Sequence, residues 1–138
     1  MEAIEKKVTI NAPASKVWKA LTNESELEKW MLMTTDFSAE KGKEFIFKTD
    51  DPGENWDGIF HCRIEELIEN KMLVYTWNAG FINADTLVTI ELEEKDGKTE
   101  VTLTHTGWDK MPVNAEQTRD AHNEGWDIRF VQKLKEVV

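Results

Sequence analysis

Cysteine occurs once in the 138 residues, so an intrachain disulfide is impossible and a reducing compartment suits the chain. The three prolines and seven glycines are too few and too scattered for a linker or a low-complexity segment. Positive charge is scarce as well: 17 basic side chains face 27 acids, for a net charge of −10. Only Arg63, Arg119 and Arg129 are arginines, and the lysines form no stripe. Such a field repels phosphate backbones and anionic headgroups, which argues against nucleic acid and membrane surfaces as partners. No run approaches the ~20 apolar residues that span a bilayer. The opening MEAIEKKVTI holds no apolar core of signal-peptide length. A cytoplasmic protein without membrane insertion is the expectation.

Signatures of catalysis and metal binding are also missing. There is no Gly-x-Ser-x-Gly elbow, and no base is placed beside Cys62, which reads as a small core hydrophobe in mid-strand. His122 and Glu124 are two apart on a helix and point in different directions, and no His-Glu-x-x-His spacing exists. Asp50, Asp51, Glu54 and Asp57 lack the alternation of a calcium loop and read as a solvated hairpin tip. Neither a metal nor a cofactor is expected.

What the chain does have is six tryptophans and a 40% hydrophobic content, enough for one globular domain spanning residues 1–138. Ile4 to Ile10 alternates as a strand. Pro13 suits the first turn of a short helix carrying Val17, Trp18 and Leu21, and Asn23 with Glu26 reads as a capping box for a second, carrying Leu27 and Trp30. From Met33 the period becomes two. Phe45 and Phe47 share a face, as do Phe60, Cys62 and Ile64, then Val88, Ile90 and Leu92, then Val101, Leu103 and His105. MLVYTW is apolar on both faces and therefore central, and KDGK is a hairpin turn. The last segment is helical, capped by Asn114 and Gln117, with Trp126, Phe130, Leu134 and Val137 on one stripe. Extended backwards, the stripe takes in Arg119 and Asn123, with His122 at its edge. Two short helices, about six antiparallel strands and one long amphipathic helix predict an α+β fold, a curved sheet wrapped around that helix.

INAPASKVWKALTNESELEKWM resembles the opening of the START-like, or SRPBCC, helix-grip domains. LVYTW, VTLTHTGW and HNEGW followed by FVQKL resemble the branch named after the activator of heat-shock protein 90 ATPase. The wider superfamily includes lipid carriers, plant hormone receptors and polyketide cyclases. The resemblance implies a cavity between the sheet and the long helix, its mouth near the loop GWDKMPVN, and it offers a chaperone as a further partner.

The pair Gly-Trp occurs twice, at 107–108 and 125–126, each with a histidine shortly before it. On this reading His105 and Trp108 close one cavity wall, while His122, Gly125 and Trp126 belong to the other, Gly125 letting the helix approach the sheet. Arg119 and Asn123, one turn apart, are the candidate polar groups of an otherwise apolar cavity. Phe60, Trp77 and Trp108 are either core or cavity wall. The expected ligand, a small aromatic or lipid-like molecule, lies between Trp77, Trp108 and Trp126, its polar end towards Arg119 and His122. Two other readings remain open: a cyclase- or dehydratase-like enzyme with His105 or His122 as general acid–base, and a chaperone-associated interaction module.

Overall fold

The computed structural model describes residues 2–50, 52–53 and 56–138, so Asp51 and Glu54 of the acid-rich turn lie outside the described residues. Strand β1 (Ile4–Ile10) buries Ile4, Val8 and Ile10, as its alternation requires. Helix α1 (Ala14–Thr22) follows Pro13, whose extended backbone stands at the N-cap, one place before the helix rather than within its first turn. Helix α2 (Glu24–Met31) is capped by the Asn23 side chain, which accepts from the Glu26 N–H at 3.1 Å. Only that half of the expected capping box forms, because the Glu26 carboxylate turns to Lys29 at 3.3 Å.

Six strands come next: β2 (Thr34–Thr35), β3 (Glu44–Lys48), β4 (Ile59–Ile68), β5 (Met72–Trp77), β6 (Thr86–Lys95) and β7 (Lys98–Thr106). They form one antiparallel sheet with β1, in the order β1-β7-β6-β5-β4-β3-β2. The MLVYTW strand is indeed the central one. Asp96 and Gly97, both at positive φ, make the tight turn that brings Lys95 opposite Lys98. The register sets Trp77 beside Thr86 on β6, and Val88 of that strand beside His105 on β7.

The chain ends in a 23-residue helical segment made of α3 (Ala115–Trp126), a π-helical stretch (Asp127–Lys133) and α4 (Leu134–Val137). Asn114 stands at its N-cap but in a left-handed conformation, and its side chain makes no cap bond, contrary to the expected Asn114/Gln117 cap. Trp126, Phe130 and Leu134 are buried at a spacing of four. In an α-helix that spacing drifts by about 40° per step. The wider π turn cancels the drift and keeps all three on the sheet side. The segment leans on β1 and α2. Lys6 meets Asp127 at 2.9 Å, Arg129 Nε donates to the Met31 carbonyl at 2.9 Å, and Phe130 meets Trp30 edge-on at 6.4 Å. Held there, the helix backbone stands away from β4 and β5 and reaches β5 through side chains, Trp77 meeting His122 and Trp126.

Candidate functional site

A cavity of about 380 Å³ occupies that gap. Phe60 of β4, Trp77 at the end of β5 and Phe81 from the following loop form the sheet wall. Gln117, Thr118, Ala121, His122 and Trp126 of α3 form the helix wall, and Arg129 closes one end from the π stretch. Phe81 is 43% exposed at the rim, although large apolar side chains are normally covered.

Behind the cavity lies a layer of aromatic rings whose polar atoms satisfy one another. A buried indole N–H is a donor without an acceptor and needs a partner. Trp126 Nε1 donates to His105 Nδ1 at 3.1 Å, Trp77 Nε1 donates to His122 Nε2 at 3.1 Å, and Trp108 Nε1 donates to the His105 carbonyl at 3.0 Å. These donors fix the tautomers. His105 must carry its proton on Nε2, which faces Thr86 Oγ1 at 2.8 Å, and the hydroxyl passes the bond on to the Trp77 carbonyl at 2.6 Å. His122 must carry its proton on Nδ1, donating to the Thr118 carbonyl at 2.8 Å. Among the described residues no buried side-chain nitrogen or oxygen lacks a partner.

Burial holds both rings neutral. Desolvation, with the neighbouring His122 adding to it, keeps His105 well below the usual imidazole range. Desolvation also lowers His122 to about 4, against the opposing Thr118 carbonyl and with help from Arg129. A second proton on His105 Nδ1 or His122 Nε2 would meet an indole N–H head on. Neither ring is presented as an acid or base, so the geometry lends no support to His105 or His122 as a catalytic residue.

Of the residues expected around a ligand, the structure brings Phe60, Trp77, His122 and Trp126 to the cavity. His105 and Trp108 do not line it and lie behind it, packed against Trp126 and His122. The space between Trp77, Trp108 and Trp126 is not open to a ligand, because imidazoles fill it. The His105 ring centroid lies 4.3 Å from that of Trp108, and the His122 centroid 5.1 Å from it. Arg119 and Asn123 fall on the other flank. Arg119 donates to the Glu2 and Ala3 carbonyls at 2.6 and 3.2 Å, tying α3 to the start of β1. The physical reason is helix phase: relative to Trp126, Arg119 and Asn123 lie roughly 20° and 60° to one side and His122 roughly 40° to the other, and the π stretch turns Arg129 towards the cavity that His122 lines. The spacing that parts His122 from Arg119 and Asn123 is a signal the sequence carried. It does not say which flank meets β1 and which the cavity.

The two Gly-Trp pairs have different causes. Gly107 has φ +96°, and a Cβ there would stand 3.2 Å from the Thr86 Cα, so a positive φ and a close approach to β6 both call for glycine. At Gly125 a Cβ would meet not the sheet but Arg129 Nη1, at 2.8 Å. The absent side chain makes room for a guanidinium, which corrects the expectation that it lets the helix approach the sheet. Cys62 is buried, and burial pushes its thiol up. Among the described residues no group of three or more His, Cys, Asp or Glu side chains could hold a metal ion, and no helix is long and apolar enough to cross a membrane.

Solved structures share this architecture. A Mesorhizobium loti protein is 25% identical with a TM-score of 0.82, over 99% of this chain and 96% of its own. A Bacillus halodurans protein is 26% identical with a TM-score of 0.80, over 100% and 97%. An Hsp90 activator from Plasmodium falciparum is 16% identical with a TM-score of 0.79, over 99% and 96%, a likeness of fold alone. None of the curated proteins matches. Residues 11–138 match the family described as activator of Hsp90 ATPase homolog 1-like protein, and with the helix-grip architecture now in place, the chain belongs to that family.

Proposed function

We propose that the protein binds a small, largely apolar molecule in the cavity between β4–β5 and the C-terminal helix. The observation that carries this reading is the cavity itself, about 380 Å³ with aromatic walls on the sheet side and few polar groups. Small-molecule sites have this character, and the volume stands at the lower end of their ~300–1,000 Å³ range. A fragment-sized aromatic ligand fits better than a long acyl chain or a steroid. The walls are pre-formed, because the tautomer-locked bonds behind Trp77 and Trp126 fix both indoles before any ligand arrives. Preorganisation of this kind lowers the ordering cost of binding.

Calorimetric titration with a panel of fragment-sized aromatic compounds tests the reading on the wild type and on Ala121→Phe. Ala121 is exposed and lines the cavity, so a phenyl ring there fills the space without entering the core. The expected result is micromolar binding, about −8 kcal/mol, weakened at least about tenfold by the blocking ring. Binding that is equal in both proteins places the ligand elsewhere and contradicts the proposal.

A further inference from the structure

Arg129 differs from the other two arginines. Arg63 meets Glu65 at 2.6 Å, and Arg119 meets Asp120 at 3.4 Å besides the Glu2 and Ala3 carbonyls. Arg129 has no carboxylate partner among the described residues, in a chain with 27 acids. The acid nearest in sequence, Asp127, is engaged by Lys6. Nε of Arg129 is used on the Met31 carbonyl, and that single bond anchors the side chain between α2 and the helix. The four N–H groups of Nη1 and Nη2 remain. Gly125 leaves the space beside Nη1 empty, so the guanidinium lies against the helix at the end of the cavity it lines. Burial alone shifts its proton affinity, downward, with no acid opposing it. A partly desolvated, always-charged fork without a counter-ion is held in place by one backbone bond and faces an aromatic cavity.

We infer that the cavity selects an aromatic monocarboxylate, its ring against Trp77 and Trp126 and its carboxylate paired with the Nη1 and Nη2 groups of Arg129. The inference rests on the ligand-binding reading above and names the ligand class. Guanidinium and carboxylate match as fork to fork, and such charge-assisted bonds are roughly twice as strong as neutral ones. Where burial has already removed part of the water from the cation, while Nη1 and Nη2 stay open to solvent and so to a ligand, the pair forms with less further desolvation than at a fully exposed arginine. The net charge of −10 opposes long-range attraction of anions, so selection comes from this local contact and not from steering.

The test compares 2-naphthoate with 2-naphthamide, which has nearly the same shape but no charge, by calorimetry at neutral pH on the intact chain. The acid binds at least about tenfold more tightly than the amide on the wild type. Arg129→Met brings the acid down to the amide's level, while Arg129→Lys, which keeps the charge and loses the fork, retains part of the preference. Acid and amide binding within about twofold of each other on the wild type overturns the carboxylate assignment and leaves the cavity reading standing. A preference that survives Arg129→Met in folded protein overturns it too. If neither compound binds at millimolar concentration while both fit the cavity, the ligand-binding reading fails and this inference fails with it. The wild-type comparison decides the matter even if Arg129→Met does not fold.

Discussion

The histidines beside the two Gly-Trp pairs are solvents for indoles. A neutral imidazole offers one acceptor and one donor, which lets it receive a buried tryptophan N–H and hand its own proton to a hydroxyl or carbonyl. His105 and His122 each do this. Because burial depresses both folded pKa values, the unfolded chain takes up these protons first as pH falls. Their contribution is intact above about 6.5 and is lost as pH falls below it, down to about 4 for His122, and His105 loses its share in the same direction. Each histidine then contributes a slope of about 1.4 kcal/mol per pH unit. Urea melts between neutrality and pH ~5 should show a shallower dependence for His122→Gln, whose amide can still accept from Trp77 but does not titrate. Parallel slopes in wild type and variant would contradict the assignment. Gly125→Ala gives a second test: the added methyl meets the flexible end of Arg129, and alanine is worth up to ~1 kcal/mol over glycine in a helix. Chemical melts should show unchanged or increased stability, and a loss above ~1 kcal/mol would mean that the helix presses on something rigid there. Residue types in the sequence pointed to a cluster of His, Gly and Trp. The sequence could not show that the cluster closes on itself, because the bonds of Thr86 to His105, Trp77 to His122 and Trp126 to His105 are made only by folding, whereas the Thr118–His122 and Gly125–Arg129 contacts are one helical turn apart.

At the level of elements, hydrophobic period was the legible signal and end chemistry was not. The alternations in β1, β6 and β7, and in β4 as far as Ile64, where a bulge shifts the register, predict their buried faces. Asn114 looked like a cap and is instead a left-handed residue whose side chain takes no part. The π stretch left only a faint trace, the fourfold spacing of Trp126, Phe130 and Leu134. Its effect on packing is large, since it holds Phe130 at 0% exposure while turning Arg129 towards the cavity. Phe130→Ala should therefore cost about 3–5 kcal/mol in urea unfolding, as for other large-to-small changes in a closed core. A cost below ~1 kcal/mol would show that the sheet does not grip the helix at this point.

Over the whole molecule, an open curved sheet and a helix leaning on one flank leave a wedge of space on the other. The wedge is formed by Trp77, Phe60 and Phe81 facing His122 and Trp126, with Arg129 at its end. Order of elements and family resemblance were enough to anticipate a cavity between sheet and helix. They could not choose the flank, so Arg119 was expected where Arg129 stands. Two-dimensional NMR of the indole N–H groups tests the central claim most directly, since those of Trp77, Trp108 and Trp126 lie in or behind this region and Trp18 and Trp30 lie on helices α1 and α2. On titration with 2-naphthoate, the Trp77 and Trp126 signals should shift in a saturable way while Trp18 and Trp30 stay fixed. If Trp77 and Trp126 do not move, or if the shifts fall on Trp18 and Trp30 instead, the cavity is not the binding site.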